Sequence, residues 1–129
     1  MVEDPVGDML ARIENGAAAK KLSVTVPFSN LRANIADVLK DLGFIADFDV
    51  DEDEHEITIK PAYTDDGESK IRHTRRISRP ARRRYVSHDE IPDVRGDYGA
   101  VILSTPEGVL TGEKSRQQHV GGELLFEIW

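Results

Sequence analysis

The chain has 129 residues, enough for one domain or two small lobes sharing a core, with 39% hydrophobic and 32% charged residues. No apolar run approaches the roughly 18–20 residues of a membrane span, and the absence of cysteine excludes disulfides, thiol chemistry and cysteine zinc sites. A net charge of −7 and a pI near 5.0 run against nucleic-acid binding, whose usual mark is a basic surface. Their distribution runs the other way. Eight of the 17 basic residues (Lys70, Arg72, Arg75, Arg76, Arg79, Arg82, Arg83 and Arg84) fall between Ser69 and His88 with no acid among them, leaving nine against all 24 acids elsewhere. The Debye length is roughly 8 Å at about 0.15 M salt, so such a band acts locally despite the total. A solvated charge run would share the pattern. The opening MVEDPVGDML lacks the basic and apolar regions of a signal peptide, and a cytoplasmic protein is expected.

Asp4-Pro5 predicts a helix start, with Asp as cap and Pro at the first helical position. Val6, Met9, Leu10 and Ile13 repeat at helical spacing, and Asn15-Gly16 is the expected end. Leu22, Val24 and Val26 alternate as a strand closed by Pro27. Ser29 caps a second helix carrying Leu31, Ile35, Val38, Leu39 and Leu42, with Gly43 as its stop. Phe44–Val50 and His55–Ile59 alternate again. Seven acids between Asp47 and Glu56 include D-x-D-x-D at Asp47, Asp49 and Asp51, but the mid-loop glycine and flanking helices of a calcium loop are missing. A solvated hairpin tip is the reading.

Asp65-Asp66-Gly67 is a turn signal ahead of the basic band, which Ile71 and Ile77 anchor. Pro80 stops any helix and leaves a loop presenting Arg79 and Arg82, whose planar forks suit phosphate. Tyr85 either buries its ring with the hydroxyl bonded or stacks on a base; burial is the reading we favour. His88–Val94 reads as a polar connector with one helical turn. Arg95-Gly96-Asp97 matches an integrin tripeptide, which we discard because three residues recur by chance.

The last 30 residues organise the chain. Ala100–Leu103 is a buried strand, Ser104–Gly108 a turn, and Val109-Leu110 a short apolar return. Gly112–Gln118 is a polar helical piece, Gly121-Gly122 a hinge and Glu123–Trp129 the last strand. Turns rich in hydroxyl and glycine at strand ends let a polyanion or base edge come close. Catalytic signatures are missing: Ser104 has no G-x-S-x-G elbow, and His55, His73, His88 and His119 show no triad or metal spacing. No phosphate-cradling glycine loop occurs either.

Ser104, Thr105, Gly108, Val109, Leu110 and Thr111, followed by Arg116 and then Gly121, Gly122 and Glu123, form the pattern S-T-x-x-G-V-[ML]-T…R…G-G-E. Arg76, Ser78, Arg79, Pro80, Arg83 and Tyr85 form R-x-S-[RK]-P-x-x-R-x-Y, and residues 4–16 read DPVGDMLARIENG. Together these resemble the bacterial-type family of small (30S) ribosomal subunit protein eight, over essentially the full length. The resemblance implies an α+β fold. An N-terminal helix-strand-helix-strand-strand lobe (1–65) would pack against a mainly β, RNA-binding C-terminal lobe with a short helix (66–129). It implies a structural, non-enzymatic ribosomal protein without metal or cofactor, cytoplasmic on the ribosome and a monomer when free. Such a protein binds the central domain of small-subunit ribosomal RNA, helps assemble the 30S subunit, and has other small-subunit proteins as neighbours.

By the same resemblance, Ser104 and Thr105 offer hydroxyls to an irregular RNA minor groove, and Gly108, Gly121 and Gly122 let the backbone approach. Glu123 braces the turn by accepting its N–H groups. Thr111, Arg116, Arg76, Ser78, Arg79, Pro80, Arg82, Arg83, Tyr85 and, from the first helix, Arg12 complete the RNA-binding set. The sequence departs from the family at Glu14 (usually basic), Ala81 (usually glycine), Arg82 and Arg84 (more often apolar), and Pro106 and Glu107. Glu107 would face phosphate and repel it. Two rivals follow: a redesigned or diverged scaffold with weakened or absent RNA binding, and a small hydrolase built on Ser104. The acidity also fits a halophilic source.

Overall fold

Pro5 takes the first helical position of α1 (Pro5–Ala18), and Val6, Met9, Leu10 and Ile13 bury one face. The helix runs past the expected stop at Asn15-Gly16. A Cβ on Gly16 would lie 2.2 Å from Val24 Cγ1, so the glycine serves close packing rather than termination. Leu22 falls outside β1 (Val24–Pro27) and is 87% exposed: strand pairing starts at Val24↔Ile59, and the residues before it have no partner strand. The Ser29 hydroxyl accepts from Arg32 N at 3.1 Å and caps α2 (Asn30–Leu42). Gly43, in the left-handed region at φ 84°, closes it. β2 (Ile45–Asp51) and β3 (Glu56–Pro61) form an antiparallel hairpin, giving the order β1-β3-β2 with β3 central. The acidic segment is its exposed tip, where Asp51 Oδ1 accepts from the Asp53 and Glu54 amides, both at 3.1 Å. Asp47 pairs with Lys40 at 3.0 Å, and that hydrogen bond, with a second from Phe48 N, holds its carboxyl below the ordinary 3.8.

The computed structural model describes residues 3–93 and 98–129. Two units share the chain, Pro5–Arg72 and a second made of the N-terminal residues to Asp4 with His73–Trp129. Val94 and Arg95-Gly96-Asp97 lie outside the described residues. Between Tyr63 and Gly67, Gly67 (φ 84°) completes a turn bonded from its amide to Thr64 O at 2.9 Å.

In the second unit the order is β4 (Thr74–Arg76), β8 (Gly122–Ile128), β6 (Ala100–Thr105) and β7 (Gly108–Thr111), with β5 (Tyr85–Val86) also on β8. Apolar runs in β6 and β8 are buried throughout, and Val101, Leu103 and Leu124 close on Ile91 with Ile77 and Val86 at the rim. A polar turn at 88–90 precedes Ile91, bonded from Glu90 N to Ser87 O at 3.0 Å. α3 (Gly112–Gln117) follows β7, capped by the Thr111 hydroxyl, which accepts from Lys114 N at 3.2 Å. Fold class is α+β: helices and strands at the N-terminal side, mainly strands with one short helix at the C-terminal side. No helix among the described residues is long and apolar enough to cross a membrane.

Candidate nucleic-acid interface

β8 organises this region because two segments add to its one edge in succession. β4 pairs along its C-terminal half, Arg76↔Phe126, and β5 along its start, Tyr85↔Glu123 and Val86↔Gly122. Between them Ile77 N and Ser78 N still bond to Leu125 O and Leu124 O at 3.1 Å, and Leu124 N reaches Arg84 O at 2.9 Å. Residues 79–83 are therefore looped out of the ladder. The buried Ser78 hydroxyl closes the base of this excursion, accepting from Arg84 N at 2.8 Å and donating to Arg84 O at 3.3 Å. Arg79 and Arg82 exchange backbone hydrogen bonds at 3.0 and 2.8 Å, making a tight turn through Pro80 and Ala81.

The Gly121-Gly122 step draws the other edge in. A Cβ on Gly121 would lie 2.3 Å from Val86 O, and one on Gly122 2.1 Å from Ser104 O. Backbone passes against backbone on both sides, so these glycines act by close approach rather than as a hinge. The step thus brings β5 and the end of β6 to one place, with Ser104↔Glu123 in register. Ser104 and Thr105 are the last residues of β6, not turn residues, and only Pro106 and Glu107 form the connection. Proline fixes φ near −65°, so the left-handed geometry falls to Gly108 at φ 114°. The Thr105 hydroxyl is used inside that connection, donating to Gly108 O at 2.8 Å and accepting from Glu107 N at 3.1 Å. Ser104 is half-buried, and its hydroxyl takes no partner among the described residues.

The arginines divide by partner. Arg76 makes a two-pronged ion pair with Asp4, both contacts 3.0 Å, and bonds to Leu125 O; its side chain is 14% exposed. Arg75 reaches Glu127 and Arg83 reaches Glu123, each at 3.3 Å. Arg116 clasps the connector through Ile91 O, Pro92 O and Asp93 Oδ1 at 2.9–3.3 Å. Arg79, Arg82 and Arg84 meet no acidic side chain among the described residues and, with Arg76 and Ile77, line an open cavity of about 350 Å³. Close by on the chain, the Ser87 hydroxyl donates to Asp89 at 2.5 Å, and this bond leads the causes that lower the Asp89 carboxyl below its ordinary range.

The sequence profile of the ribosomal protein S8 family matches residues 4–129. The chain belongs to that family. Among its relatives, the small ribosomal subunit protein uS8 of Anaeromyxobacter sp. (strain K) is 46% identical over 128 residues, covering 98% of this chain and 97% of its own length. Those of Thermodesulfovibrio yellowstonii and Agrobacterium fabrum are 43% identical over 131 residues (100% of each chain) and 46% over 129 (98% and 97%). A member of the S8 family is a ribosomal structural protein, not an enzyme.

For this S8 family member, the residues expected to face RNA fall into three groups in this unit, with Arg12 apart in the other. Ser104, Gly121, Gly122, Glu123, Arg83 and Tyr85 come together around the start of β8, with Gly108 and Thr105 at the adjoining connection. Arg79, Pro80 and Arg82 form the neighbouring excursion. Arg76, Ser78, Thr111 and Arg116 are consumed by internal bonds and hold the surface in shape. Two expectations are corrected. Tyr85 is 68% exposed rather than buried, because β5 pairs with β8 at the open start of that strand. Glu123 accepts from Arg83 Nη1 through both carboxylate oxygens at 3.3 Å, so it braces the arginine and not the turn. Arg12, in the other unit, pairs with Asp8 at 3.1 Å and donates to Thr25 O at 3.0 Å. It lines a groove with Asn15, Lys21, Ser23 and Thr25. The Ser78 latch went unread in the sequence as a latch; a serine six residues before its backbone partner leaves no periodic signal.

Proposed function

We propose that this chain is a small-ribosomal-subunit protein of the cytoplasmic ribosome that binds the central domain of small-subunit ribosomal RNA and helps assemble the 30S particle. Its relatives are, by name, proteins of the small ribosomal subunit. One observation carries the reading. The Gly121-Gly122 step sets a Ser104 hydroxyl, unpartnered among the described residues, and an exposed Tyr85 ring on either side of one closely packed backbone crossing. RNA is read through shape, splayed bases and 2′-hydroxyls rather than through a deep major groove, and a small hydroxyl beside a stacking ring suits that target. The crossing is preorganised, since both its flanks are paired to β8. Arg83, held by Glu123, and Arg12 on α1 supply phosphate contacts, and other small-subunit proteins adjoin the assembled chain, which is a monomer when free.

The test is binding to transcribed fragments of small-subunit RNA over a range of salt concentration. Selective binding to the central-domain fragment, weakening as salt rises through counterion release, is expected. Equal binding to every fragment, or none at low salt, would overturn the proposal. The scaffold reading, favoured by the net charge of −7 and by exposed Glu107 at the β6–β7 tip, predicts that second result.

A further inference from the structure

We propose that Arg79, Arg82 and Arg84 form a built phosphate-binding cup, which takes the phosphodiester backbone of a nucleic-acid strand separately from the Ser104–Gly122 crossing. This rests on the RNA-binding reading above and says which charges do the electrostatic part. Four of the arginines in this unit have an acidic partner: Arg75 with Glu127, Arg76 with Asp4, Arg83 with Glu123 and Arg116 with Asp93. Among the described residues of this unit, Arg79 and Arg82 on the excursion and Arg84 at its base meet no acid, and the three line one cavity of about 350 Å³. Unpaired guanidinium groups that share a concavity repel one another, and an anion between them relieves that repulsion.

The cup is held in place by its frame. Reciprocal backbone bonds between Arg79 and Arg82 set the turn, Pro80 fixes its entry, and the buried Ser78 hydroxyl clamps the Arg84 backbone from both sides. Arg76 lines the same cavity but is pinned to Asp4, so its field is largely cancelled and its role is to shape the wall. Arg79, Arg82 and Arg84 thus concentrate positive charge on one short segment of a chain whose net charge is −7. An open cavity with three fork-shaped donors fits a run of backbone phosphates, each met by two parallel N–H···O bonds.

The experiment measures central-domain RNA binding against salt for the full chain and three variants. The R79Q/R82Q/R84Q triple variant is expected to lower affinity on the order of 100-fold at about 0.15 M salt. It should also reduce the slope of log K against log[salt] by roughly two to three, close to 0.7–0.9 per lost phosphate contact. Arg-to-Lys replacement at all three should keep most of the slope, since the charge remains, and S104A should lower affinity with the slope unchanged. An unchanged slope in the glutamine variant, or equal loss in the lysine variant, overturns the cup while leaving the RNA-binding reading intact. Failure of the unaltered chain to bind overturns both. A parallel titration with inorganic pyrophosphate, read by the arginine Nε–H resonances, distinguishes the occupant. Saturation at micromolar pyrophosphate would make the cup a small-anion site and overturn its assignment to a strand; weak millimolar shifts are expected.

Discussion

Ser104 and Thr105 stand side by side at the end of β6, yet their hydroxyls have opposite employment. Thr105 closes the β6–β7 connection with two hydrogen bonds, whereas Ser104 has no partner among the described residues. Thr105→Val is therefore expected to cost about 1 kcal/mol of stability in denaturant unfolding. Ser104→Ala should leave the unfolding midpoint within about 0.5 kcal/mol of the original while weakening RNA binding. Gly122 is a sharper case. A methyl group there would sit 2.1 Å from Ser104 O, a backbone atom that cannot rotate away, so Gly122→Ala should destabilise by about 1–3 kcal/mol and part β8 from β6. Circular dichroism melts would register it. Asp47 supplies a pH test. Lys40 and the Phe48 amide hold its carboxyl below 3.8, so the stabilisation is fully present above 3.8 and is lost as pH falls through the lowered folded value. A carbon-13 NMR titration should place its midpoint below 3.8, and Lys40→Ala should move it back upward.

Elements follow their local signals where those signals are local in origin. α2 begins and ends where Ser29 and Gly43 say it should, and Ser29→Ala is expected to cost about 1 kcal/mol by leaving the Arg32 amide unmatched; thermal unfolding measures it. α1 does not obey. Asn15-Gly16 reads as a stop, but Gly16 is required by Val24, eight residues on and beyond the reach of any cap, and the helix goes on to Ala18. β1 fails in the other direction, because Leu22 continues the alternation while β3 supplies no partner beyond Val24. The excursion at 79–83 is the element that matters most for function. Pro80 announces a break there, but only pairing of both flanks with β8 turns the break into a looped-out arginine turn.

At the scale of the whole chain, an acidic polypeptide carries three arginines without an acidic partner among the described residues within the short segment 79–84. The consequence is opposite salt dependences for two properties of one molecule. Screening relieves self-repulsion at a net charge of −7, so folding stability should rise modestly as salt goes from about 0.02 to 0.5 M, while RNA affinity falls over the same range. Parallel melts and binding isotherms test this; a rise in both, or a fall in both, would contradict it. Composition, alternation, helical spacing, caps and the S-T…G-G-E and R-x-S-R-P patterns were enough to establish the α+β class, most elements and the S8 family, since these are properties of neighbours a few residues apart. Which arginines are free, which hydroxyl is idle and why Tyr85 is exposed were decided only by tertiary structure. Arg76 meets Asp4 across 72 positions, Arg83 meets Glu123 across 40, and no periodicity in a sequence encodes an ion pair at such separation.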